Sequence, residues 1–64
     1  MNAIREQRAQ KKWTQAELAK RLGVERSTVA KWESGVSQPQ AAHLIALAEV
    51  FGCTVDELLG RERK

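Results

Sequence analysis

The stretch Thr14–Gly35, TQAELAKRLGVERSTVAKWESG, decides the fold of this 64-residue chain. It holds two short amphipathic helix patterns parted by one glycine, Gly23, at the place where a tight turn must form. Thr14 with Glu17 three residues later is a capping box, which starts the first of the two helices. Leu18, Ala19 and Leu22 make its apolar stripe, and Gly23 ends it. The second pattern predicts a helix from about Glu25 or Arg26 to Ser34 that buries Val29 and Trp32, with Gly35 as a left-handed C-cap. For the two helices to cross steeply, their backbones must approach near the turn. Ala19 is small enough for that, Gly23 permits a positive φ, and Val24 and Val29 close the junction.

Working outward, a first helix is expected from Asn2, as N-cap, to about Lys11, with Ile4 and Arg8 on one face. Beyond Gly35 the loop VSQP follows, and Pro39 stops any helix from crossing it. Gln40 to Phe51 reads as a fourth helix with Leu44, Ile45, Leu47, Ala48 and Phe51 on a wide apolar face, ended by Gly52. Thr54 with Glu57 is a second capping box and opens a short fifth helix carrying Leu58 and Leu59. Residues 61–64 are polar and expected to fray. Glycine and proline fall only between periodic segments and β-branched residues are scattered, so the expected fold is all-α: one domain over residues 1–64, with a helix-turn-helix at the second and third of five helices.

A chain this short buries only about 60% of the surface its unfolded form exposes. The single cysteine, Cys53, excludes an internal disulfide, and with one histidine, His43, no zinc site of protein ligands is available. Association with a second copy is the remaining support for a small core. A lone cysteine fits a reducing compartment, no apolar run reaches membrane-spanning length and MNAIREQR lacks a hydrophobic signal core, so a soluble, cytoplasmic protein with no membrane partner is expected. The net charge of +3 is unevenly spread. Residues 1–31 hold eight Lys and Arg against three Glu, while residues 32–64 hold three against five Asp and Glu. A basic half beside a mildly acidic one suits a polyanion.

The third helix carries the chemistry. Its solvent side, at spacing i, i+1, i+5, holds Arg26, Ser27 and Lys31, with Thr28 alongside. Arg26 can give a fork of hydrogen bonds to guanine O6 and N7, Ser27 can bond base or phosphate, and Lys31 can reach guanine acceptors or a phosphate. Thr28 offers a hydroxyl and a methyl. The amides at Thr14 and Gln15 stand at the positive end of a helix and suit a phosphate, and Ser37, Gln38 and Gln40 could grip the opposite strand. A helix pair so equipped is a tool for reading the major groove of double-stranded DNA. Lys12, Lys20 and Arg21 read as solubilising charges, Trp32 and Cys53 as packing, and His43 as a surface or half-buried helix residue. No paired carboxylates, Ser/His/Asp, Cys/His or phosphate-loop arrangement is present, so no enzyme, cofactor, metal or small-molecule ligand is expected.

Six marks carry a resemblance: TQAELA at 14–19, LGV at 22–24, STV at 27–29, WESG at 32–35, Pro39, and FGCTVDELL at 51–59. In this order and spacing the chain resembles the phage repressor and Cro-type (XRE) helix-turn-helix family from about Ile4 to Leu59. The resemblance implies a five-helix, lambda-repressor-like domain that binds a near-palindromic operator as a homodimer and controls transcription, most simply as a repressor. It implies base contacts from Arg26, Ser27 and Lys31, a backbone contact from Thr28, and a phosphate contact from Gln15. It also implies a buried ion pair of Arg8 with Glu33, which makes physical sense because a carboxylate beside the inward Trp32 needs a partner. The dimer contact implied lies between Phe51 and Leu59, with Phe51, Cys53, Val55, Leu58 and Leu59 as its side chains. Three features depart from the family pattern. Glu25 stands where Ser or Thr usually caps the third helix, Gln40 replaces a better cap, and the loop of Ser37 to Gln40 lacks Lys or Arg. The competing function is a protein-interaction module, such as an antitoxin-like domain that docks a partner.

Overall fold

In the computed structural model, residues 2–59 are described, and they form five helices: α1 (Asn2–Gln10), α2 (Gln15–Leu22), α3 (Arg26–Ser34), α4 (Ala41–Phe51) and α5 (Val55–Leu59). The tail expected to fray, 61–64, lies outside the described residues. Asn2 is the first residue of α1 rather than the residue before it.

Each helix gives at least one side chain to a single core: Ile4 from α1, Leu18 and Ala19 from α2, Val29 and Trp32 from α3, Leu47, Ala48 and Phe51 from α4, and Leu58 from α5. The elements start and stop where local chemistry dictates. Thr14 accepts from the Glu17 amide at 3.0 Å while the Glu17 carboxylate accepts from the Thr14 amide at 2.7 Å. The Thr54–Glu57 pair repeats this geometry before α5. At the α2–α3 turn Gly23 takes φ 75°, and the Val24 amide reaches back to the Ala19 carbonyl at 3.0 Å, closing the end of α2. Ala19, 3% exposed, lets α3 cross close by.

One expectation needs correction. Ile45 is 55% exposed, not part of the core face, because it stands about 100° round the helix from Leu44 while Leu47, Ala48 and Phe51 cluster on the other side. Phe51 and Leu58 were expected at a dimer contact, yet they are 4% and 1% exposed within the single chain. Phe51 is held by Trp13, whose ring stacks on it with centroids 6.1 Å apart. Their side chains belong to the core of the single chain.

Candidate nucleic-acid interface

Successive residues of a helix stand about 100° apart, and α3 divides sharply on that wheel. Val29 and Trp32 point into the core and Glu33 lies at its edge, half-buried. Arg26, Ala30, Ser34, Ser27 and Lys31 together span only about 140° on the outer side. Arg26, Ser27, Lys31 and Ser34 are exposed and Ala30 is half-buried. The expected readers therefore share one face, and the small Ala30 between them keeps the helix surface low there. Spacing i, i+1, i+5 passes over Ala30 and Ser34, which is why the sequence reading missed them. Thr28 is half-buried on the flank of this face.

The N-terminus of α2 opens beside α3. Its capping box satisfies the Glu17 amide, which leaves the amides of Gln15 and Ala16, the first two of the helix, without intrahelical partners at the positive dipole end. Gln15 is half-buried and joins both helices: its Nε2 donates to Glu33 Oε1 at 3.1 Å, and its Oε1 accepts from Arg26 Nη1 at 3.3 Å. A depression of about 230 Å³ lies here, lined by Arg5, Arg8, Gln15, Ala30, Glu33 and Ser34. Arg5, exposed at its rim, was not singled out in the sequence because no motif contains it.

Arg8 and Glu33 form a forked pair, with Nε to Oε2 at 2.7 Å and Nη2 to Oε1 at 3.0 Å. Arg8 Nη1 also donates to the Trp13 carbonyl at 2.8 Å. The pair thus ties α1, the α1–α2 turn and α3 together, with side chains 18% and 6% exposed. Burial pushes the Glu33 carboxyl up, but the hydrogen bonds from Arg8 and Gln15 and the charges of Arg8 and Arg5 prevail, and it is held below its ordinary value. The hydrogen bond to Glu33 raises Arg8 against the opposing effect of burial.

The remaining candidates scatter. Glu25 occupies the N-cap of α3 with φ −82° and ψ 152° but makes no side-chain capping bond, and Gln40 fails in the same way at α4. Gln38 and Gln40 are exposed, whereas Ser37 is half-buried with its amide bonded to the Lys31 carbonyl at 3.3 Å. Cys53, Val55 and Leu59 are half-buried. The Cys53 thiol is raised by burial and by the charge of Glu57, against the opposing charge of Lys11. Arg21 is not merely a solubilising charge, for its guanidinium lies 4.2 Å from the centroid of the Trp13 ring. Trp13 was passed over in the sequence, although a signal for it was there. It immediately precedes the Thr14 cap, with Leu18 at the fourth helical position, which is the spacing of a hydrophobic staple. His43 tilts against Trp32 with centroids 5.2 Å apart. Among the described residues no group of His, Cys, Asp and Glu could hold a metal ion, and no helix is long and apolar enough to cross a membrane.

Comparison with known proteins agrees with this geometry. A family model described as helix-turn-helix matches residues 4–58. The chain is 41% identical over 64 residues to the HTH-type transcriptional regulator AnsR of Bacillus subtilis, covering 100% of this chain and 55% of that protein. It is 36% identical over 56 residues to the repressor protein C2 of Salmonella phage P22, covering 88% of this chain and 26% of C2. The chain thus spans about half the length of AnsR and about a quarter of C2. Among solved structures, the P22 c2 repressor protein in complex with a synthetic operator superposes with a TM-score of 0.85 at 34% identity, covering 92% of this chain and 89% of that one.

Proposed function

The chain belongs to the helix-turn-helix family, and from that premise we propose that residues 1–64 act as one sequence-specific binding domain for double-stranded DNA. α3 lies in the major groove, Arg26, Ser27 and Lys31 read base edges, and the α2 N-terminus clamps a phosphate through the Gln15 amide and the Thr14 hydroxyl, the Thr14 amide being taken by Glu17. Thr28, Ser37, Gln38 and Gln40 contact the backbone. The protein regulates transcription in the cytoplasm, as a repressor. The observation that carries this reading is the outer face of α3, where the polar and basic readers share one side around a small residue while the α2 amides stand beside them. The likeness to a repressor held on its operator supports the same docking.

A homodimer on a near-palindromic site follows from the family, with recognition helices about 34 Å apart, one turn of DNA. With Phe51 and Leu58 in the core, the contact rests on Cys53, Val55 and Leu59, a small surface, so pairing is driven by DNA. The rival reading as a protein-docking module draws on exposed apolar groups of α4 and α5. On those two helices Ile45 is the one large apolar side chain among the described residues that is exposed, with Val36 exposed in the loop before them, which gives that reading little to stand on.

Selection of bound sequences from a random duplex library at two salt concentrations tests the proposal. A recurrent motif that persists at the higher salt is expected. Recovery of unrelated sequences, with binding that vanishes as salt rises, would reduce the chain to a basic patch.

A further inference from the structure

The hydrogen bonds beside the α2 N-terminus run in one chain from α1 to the outer face of α3, and the chain has a direction. Arg8 grips both Glu33 oxygens and the Trp13 carbonyl, which holds the carboxylate still. Glu33 Oε1 then accepts from Gln15 Nε2, and Gln15 Oε1 accepts from Arg26 Nη1. A carboxamide has one donor end and one acceptor end. Were the Gln15 amide reversed, its oxygen would face a carboxylate oxygen and its NH2 group would face a guanidinium. The negative charge of Glu33 therefore selects the amide orientation that offers a carbonyl to Arg26.

We infer that Glu33 is a specificity-determining positioning residue, which through Gln15 fixes the direction from which Arg26 approaches the bases without itself touching DNA. The inference rests on the DNA-reading function proposed above. Only one Arg26 nitrogen is engaged in this chain, so Nε and Nη2 stay available for a forked contact to guanine. The second hydrogen on Gln15 Nε2 stays available for a phosphate. One amide thus couples the clamp on the backbone to the reading head beside it. A purely structural Arg8–Glu33 tie explains why both residues are part-buried, but not why the amide between Glu33 and Arg26 is poled toward the reader.

The test compares wild type, Arg26→Ala, Gln15→Leu and Glu33→Gln on the duplex selected from the random library and on all its single base-pair variants. Partial unfolding weakens binding to every sequence by the same factor, so ratios between sequences are independent of stability. Arg26→Ala identifies the base pair that Arg26 reads. At that pair Gln15→Leu, which keeps the Arg8–Glu33 pair whole, should cut a guanine preference of about tenfold or more to about threefold or less, with preferences elsewhere unchanged. Glu33→Gln should do the same. If either variant keeps the full preference and only binds more weakly throughout, the chain is structural and the inference fails. If wild type shows no preference among duplexes and Arg26→Ala changes nothing, the DNA-reading proposal fails and takes the inference with it.

Discussion

Arg8 and Glu33 are the residues on which most depends, because both charges sit largely out of water. Removing one partner leaves the other part-buried and uncompensated, so Arg8→Ala or Glu33→Ala should destabilise by roughly 1–3 kcal/mol, a large share of what a domain this small possesses. Urea unfolding measures it, and a loss under about 1 kcal/mol would show the pair to be solvated. The pH dependence has a definite sign. Glu33 titrates below its ordinary value of 4.5 in the fold, so its contribution is present above that pH and is lost as pH falls through the lowered value. Wild type should therefore lose stability into acid more steeply than Glu33→Gln. A second residue-scale expectation concerns Cys53, whose raised thiol should alkylate more slowly at pH 8 in the folded chain than in urea. Equal rates would contradict its burial beside Glu57. The pair was legible through the family resemblance, and the need of a carboxylate next to an inward tryptophan for a counter-ion made physical sense of it. The contact of Arg21 with Trp13 was not, since a cation on a helix surface looks the same in sequence with or without a ring beneath it.

Caps and faces decide matters at the scale of the element. α3 begins on Glu25, which makes no capping bond, while α2 begins on a complete capping box. Glu25→Ser should stabilise by about 1 kcal/mol and Thr14→Ala should destabilise by about as much, both read as shifts of the thermal midpoint. At the turn, Gly23 has open space where a Cβ would go, so Gly23→Ala fails by backbone strain alone, by about 1 kcal/mol, and Gly23→Asn should cost less. Helix starts and ends were written plainly in Thr14, Gly23, Gly35, Gly52 and Thr54, since capping and positive φ are local demands. The fate of an apolar face was not. Phe51 and Leu58 read equally well as core or as dimer contact, and only packing against Trp13 and the other helices assigns them to the core. Ile45 shows the opposite error, an apolar residue of an apolar helix left facing out.

Across the whole molecule, a basic N-terminal half carries the proposed reading face and phosphate clamp, and Cys53, Val55 and Leu59, the half-buried side chains proposed for self-association, are few. Sedimentation should accordingly find a monomer free in solution and two copies on a duplex bearing both half-sites. One copy on such a duplex would remove the dimer. The central claim, that α3 reads base edges rather than merely meeting charge with charge, is tested most directly by equilibrium binding to the selected duplex and to a scrambled duplex of the same composition at near-physiological salt. The account predicts that the selected duplex binds at least about 10³-fold more tightly and that Arg26→Ala narrows the gap. Equal affinity for the two duplexes, falling together as salt rises, would contradict it.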